Sequence, residues 1–73
     1  MTRPPTAPLT PREMEVLRLI GQGLDCRAIA RHLHISPLTA RKHRSNIMAK
    51  YGLHHVAQLN ALAVERDFRR ACG

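Results

Sequence analysis

Five histidines and two cysteines are the side chains in this sequence that could ligate a metal or attack a substrate. A zinc site needs such groups at matched spacings, as histidines one helical turn apart or as a CxxC pair. Here His32 and His34 stand two apart, His54 and His55 are adjacent, and Cys26 and Cys72 lie far from each other. None of these is a ligand spacing, so the sequence predicts no metal and no cofactor. Cys26 lacks any acid or histidine placed to complete a nucleophilic set, and it reads as a small packing residue. The cations offer a different chemistry. Twelve Lys and Arg against five Asp and Glu give a net charge of +7, and the acids are unevenly placed. Glu13, Glu15, Asp25, Glu65 and Asp67 leave the window from 26 to 64 without an acid. That window holds Arg27, Arg31, Arg41, Lys42, Arg44 and Lys50 with every histidine. One side of the fold should therefore carry a positive field suited to a polyanion. Solubility alone would not require acids to be excluded there.

A chain of 73 residues forms one domain that buries only about 60% of its unfolded surface. It has little room for an enclosed catalytic pocket, so binding is expected rather than catalysis, and no small-molecule ligand. Tyr51 and Phe68 are the only aromatics, and a core of aliphatic residues favours packed helices over a sandwich. No apolar run is long enough to span a membrane, and no apolar export segment opens the chain. Unpaired cysteines suit a reducing compartment, and a cytoplasmic location is expected.

Residues 1–8 carry three prolines and read as a flexible arm or linker remnant. The arm fits a stand-alone protein beginning at Met1 and equally a C-terminal domain that follows a linker. From Leu9 the signals sharpen. Thr10 can cap a helix, Pro11 suits its first position, and Glu13 can reach back to the cap. Leu9 and Met14 occupy the positions of a hydrophobic staple, and Met14, Leu17, Ile20 and Leu24 form an apolar stripe. Gly21 and Gly23 end this helix. Asp25 caps a second, Cys26 to His34, with Ile29, Ala30 and Leu33 inward. Ser36-Pro37 starts a third by the same cap-and-proline logic, running to about 51. Two helices joined by so short a connection form a helix-turn-helix, here about 26–51.

The third helix turns Ala40, His43, Ile47 and Tyr51 inward. Its opposite stripe is Leu38, Arg41, Lys42, Ser45 and Ala49, which is basic, slim and free of acids. A helix entering the major groove needs donors for base edges and side chains small enough for close approach. A solvated surface face is the competing reading of Arg41 and Lys42. Gly52 stops the helix. The fourth, Val56 to about Phe68, sets Leu59, Leu62 and Ala63 on one side and Ala57, Ala61, Val64 and Phe68 on another. Such a helix packs on its own core and on something else. Either Phe68 folds back onto the core, or the second face buries against a twofold mate. The domain is thus expected over 9–68, with 69–73 a disordered tail.

The run Leu9-Thr-Pro-Arg-Glu with Val16-Leu17, then Ile29-Ala30, Leu33-His-Ile-Ser36, Thr39, His43, Asn46-Ile47-Met48 and Lys50-Tyr-Gly52 strongly resembles the LuxR/GerE-type helix-turn-helix domain. The resemblance covers 9 to 66 and implies an all-α, four-helix fold whose third helix is the recognition helix. It implies a transcriptional regulator that binds double-stranded DNA, as a homodimer through the fourth helix on inverted repeats. By position it assigns base contacts to Leu38, Arg41, Lys42 and Ser45. It assigns phosphate contacts to Arg27, Thr39 and Lys50, and Arg44 joins them from the basic stripe. Dimer contacts are expected at Ala57, Ala61 and Val64. Lys42 could equally hold a phosphate, and Thr39 could simply support its cap. This sequence departs from the family pattern at Ala28, often Glu, at Ala40, usually Val, and at Tyr51, commonly Leu. His55, where Ser or Asn is frequent, is a poorer cap. Two rivals belong to other classes. One is a protein-interaction module of this fold that sequesters or recruits another regulator or RNA polymerase. The other is a basic binder of RNA or anionic membranes, against which the helix punctuation and coherent core argue.

Overall fold

Three of the helices begin where a short polar side chain meets the first free amides. The computed structural model describes the backbone of residues 8–72 and the side chains of residues 8–67. Helix α1 spans Pro11–Gly21. The Glu13 amide donates to Thr10 Oγ1 at 3.1 Å, and the Thr10 amide donates to Glu13 Oε1 at 2.9 Å. This reciprocal box satisfies donors that a helix start leaves orphaned. Helix α2 spans Cys26–Leu33, and Asp25 Oδ1 accepts from the Ala28 amide at 2.8 Å. Helix α3 spans Pro37–Tyr51, with Ser36 Oγ accepting from the Thr39 amide at 3.1 Å. Helix α4 spans Val56–Cys72.

Helices α2 and α3 each close on a residue in the left-handed region. The second helix stops at Leu33 rather than His34, because His34 adopts the left-handed region at φ 58°. In that conformation the chain turns back, and the Ile35 amide reaches the Ala30 carbonyl at 2.9 Å. Gly52 closes α3 in the same way at φ 68°, with the Leu53 amide on the Met48 carbonyl at 2.8 Å. His55 supplies no capping oxygen to α4. Gln58 Oε1 does so from inside the helix, accepting from the His54 and His55 amides at 2.9 and 3.1 Å. At the far end α4 runs to Cys72 instead of stopping near Phe68. No Gly or Pro interrupts residues 69–72, so the backbone expected as a disordered tail continues as helix. The expected arm over 1–7, the Phe68 side chain and Gly73 lie outside the described residues.

The core is aliphatic. Val16, Leu19, Ile29, Ile47 and Leu59 are its largest fully enclosed side chains, and Tyr51 is its one aromatic among the described residues. Burying each such aliphatic side chain contributes about 1.5–3 kcal/mol. Helix α1 is central and packs against both α3 and α4, while α2 packs against α3. That position demands a wider apolar face than the expected stripe of Met14, Leu17, Ile20 and Leu24. Val16, Leu17, Leu19 and Ile20 are buried, Leu24 is half-buried, and Met14 is 51% exposed. Leu9 packs on the core.

The two glycines read as one helix stop do different work. Gly23 adopts φ +94° and makes the turn. Gly21 is helical, and a Cβ there would lie 2.5 Å from the Ala63 carbonyl oxygen of α4. Its missing side chain is what lets α1 and α4 touch.

Candidate nucleic-acid interface

The turn between α2 and α3 contains only His34, Ile35 and Ser36. Ile35 is half-buried against the core and pins the turn, so the two helices meet at a defined angle. Ala40, Ile47 and Tyr51 are buried on α3, with His43 and Met48 half-buried beside them. A helix advances 100° per residue, so burial of that stripe forces the opposite one outward. Leu38 is 74% exposed, and Arg41, Lys42, Ser45 and Ala49 are exposed with it. These residues form one continuous outer face. It carries two cations, a hydroxyl, a small methyl and one exposed leucine side chain at its N-terminal end.

Arg27 is exposed in the first turn of α2, and Arg44 is half-buried on the flank of α3. Among the described residues, none of Arg27, Arg41, Lys42 and Arg44 is held in a salt bridge. Their charges remain available to an incoming anion. Thr39 is exposed, but its hydroxyl lies 2.9 Å from Ser36 Oγ and shares the cap of α3.

Lys50 is half-buried and paired within the domain. Its ammonium donates to Glu13 Oε1 and, at 3.0 Å, to the Pro8 carbonyl oxygen. Glu13 is only 4% exposed. The capping carboxylate of α1 therefore also receives the end of α3. No local spacing signals this pair, since its members lie 37 positions apart. The same is true of Tyr51. Its hydroxyl, which needed a partner, accepts from Arg66 Nη1 of α4 at 3.0 Å.

The Lys50 hydrogen bond, opposed by burial and assisted by the Thr10 amide, holds the Glu13 carboxyl below its ordinary value of 4.5. Charged Glu13 thus stabilises the fold above that value, and the stabilisation is lost as pH falls through the lowered folded-state pKa. Glu13→Gln should cost about 1–3 kcal/mol at neutral pH. Acid titrations of the wild type and the variant, followed by circular dichroism, should converge below pH 4.5. Parallel titration curves across that range would contradict this account.

On α4, Ala57, Ala61 and Val64 are exposed along one side, Val64 by 53%. An open groove of about 590 Å³ between α1 and α4 is lined by Met14, Glu15, Arg18, Arg66 and Asp67 among others. It is made by helices other than the basic one. Cys26 is half-buried against the core. Among the described residues there is no group of three or more His, Cys, Asp or Glu able to hold a metal ion. No described helix is long and apolar enough to cross a membrane.

A short helix, a tight pinned turn and a longer helix with an acid-free basic face define a helix-turn-helix domain. The family described as bacterial regulatory proteins, luxR family, matches residues 7–63, and the chain belongs to it. It is therefore a DNA-binding domain of the kind that bacterial regulatory proteins carry. Proteins of Mycobacterium bovis and Mycobacterium tuberculosis, named as HTH-type transcriptional regulators, are 41% identical over 80% of this chain. The transcriptional regulatory protein UhpA of Escherichia coli is 40% identical over 71% of it, as is the Fimbriae Z protein of Salmonella typhimurium. The chain spans 7% of the length of the mycobacterial relatives and about a quarter of the other two. No solved structure gives a significant match.

Proposed function

We propose that this domain binds double-stranded DNA with sequence specificity and regulates transcription from the cytoplasm, with α3 in the major groove. Leu38, Arg41, Lys42 and Ser45 face the bases; Arg27, Thr39 and Arg44 hold phosphates. The observation that carries this reading is the outward stripe of α3, unpaired in its cations and without a carboxylate. Arg41 can donate two hydrogen bonds to guanine O6 and N7, and exposed Leu38 suits a thymine methyl. Phosphate contacts set register and supply most of the affinity without reading sequence. The names of the relatives point the same way.

Pairing through the exposed face of Ala57, Ala61 and Val64 accompanies this reading. Small side chains at 57 and 61 allow two α4 helices to approach closely, and Val64 gains burial. A twofold dimer presents two α3 helices and so demands an inverted repeat with half-sites about one helical turn apart.

Selection of bound duplexes from a random pool tests the proposal. A recovered palindromic motif is expected, with its symmetry reporting the dimer. Recovery of sequences bound no better than bulk DNA would reject specific binding and favour the protein-interaction module.

A further inference from the structure

Lys50 sits in the last turn of α3, and both of its partners lie at the start of the ordered chain. Glu13 Oε1 belongs to the first turn of α1, and the Pro8 carbonyl marks where the chain enters the domain. The carboxylate is buried, and its Oε1 also accepts from the Thr10 amide at 2.9 Å. Moving the ammonium to a DNA phosphate would leave that carboxylate buried and unpaired, which is strongly unfavourable. The neighbouring Tyr51 is 5% exposed and receives Arg66 of α4 at 3.0 Å. The C-terminal turn of α3 is thus held to α1 and the entering chain through Lys50, and to α4 through Tyr51.

Arg41 lies nine positions before Lys50 on the same helix, about 13 Å away at 1.5 Å per residue. A rigid helix acts as a lever over that length. A small displacement of its gripped end moves the base-facing end by enough to break a bidentate hydrogen bond, whose geometry tolerates little error.

We propose that Lys50, through Glu13 and Pro8, is a positioning residue for base reading and does not contact DNA. This rests on the reading of α3 as the recognition helix. Lys50 couples the chain entering at Pro8 to the angle at which α3 meets the groove.

Glu13→Gln, Lys50→Met, the double variant and Lys50→Arg test this in equilibrium titrations against selected and scrambled duplexes. The measurements are made across a salt series, at a temperature where circular dichroism shows each variant folded. Both single variants should lower the ratio of specific to scrambled affinity by about 2- to 30-fold. The double variant should lose no more than Lys50→Met alone, because replacing Lys50 already removes the Glu13 contact together with that to Pro8. Lys50→Arg should restore most of the ratio. The salt slope should stay that of the wild type.

A Lys50→Met slope flattened by about 0.9, the value for one lost phosphate contact, with Glu13→Gln binding as the wild type, would overturn the proposal. Folded single variants with unaltered specificity would do so too. Absence of sequence preference in the wild type would instead remove the recognition-helix reading itself, and this proposal with it.

Discussion

Alanine at Arg41 is expected to weaken binding to the preferred duplex by about 1–3 kcal/mol, and to relax the preference at a single base position. The guanidinium is exposed on the outer face of α3 and free of any salt bridge among the described residues. It need not break an intramolecular pair before meeting a base. Its planar fork matches O6 and N7 of guanine, and a methyl group replaces none of those hydrogen bonds. Arg27→Ala is the informative comparison. A lost phosphate contact should weaken every duplex alike and flatten the salt slope by about 0.9. Titrations of both variants against single-base substitutions of the selected site separate the two behaviours. Even losses across all sequences for Arg41→Ala would show that Arg41 holds phosphate. The reading of bases would then fall to Lys42 and its neighbours.

The largest effect on the fold is expected from a substitution that usually helps a helix. Alanine is favoured over glycine inside a helix by about 1 kcal/mol, yet Gly21→Ala should destabilise this domain. The added Cβ would sit 2.5 Å from the Ala63 carbonyl oxygen, 3.0 Å from its carbon and 3.1 Å from Asp67 Cβ. The first two are backbone atoms, and no rotamer change can move them aside. Helix α4 must shift as a body, against the burial of Leu59, Leu62 and Ala63. Overpacking of this kind costs about 1–3 kcal/mol, and in a domain this small each kcal/mol lowers the melting temperature by about 4–8 °C. Thermal denaturation of Gly21→Ala checks the sign. A melting temperature at or above the wild-type value would mean that α1 and α4 do not approach so closely. Gly23→Ala makes the contrast sharp, since nothing lies near its Cβ position and its cost would come from positive φ alone.

How much of this was legible beforehand follows from the range over which each signal acts. The starts of α1, α2 and α3 were readable because Thr10, Asp25 and Ser36 bond to amides three residues on, within one helical turn. The outward stripe of α3 was readable because helical periodicity makes the face opposite Ala40, Ile47 and Tyr51 point away from the core. The end of the second helix at His34 was missed for a local reason: histidine enters the left-handed region far less often than glycine, and nothing in its type announced that it would.

The sequence by itself determined that there are helices here, where three of them begin, and that one carries a basic face without acids. Those properties depend on neighbours within a few residues and on composition. Only the tertiary structure decided which of its cations is paired. Arg41 and Lys50 are both basic residues of α3, but packing leaves the first in solvent and seats the second against a carboxylate 37 positions away. Burial makes that pairing persist, because an unpaired carboxylate at the α1–α3 contact would be costly. Gly21 does end α1, but only the packing showed that α4 presses against it. Long-range packing sets which of these charges stay free.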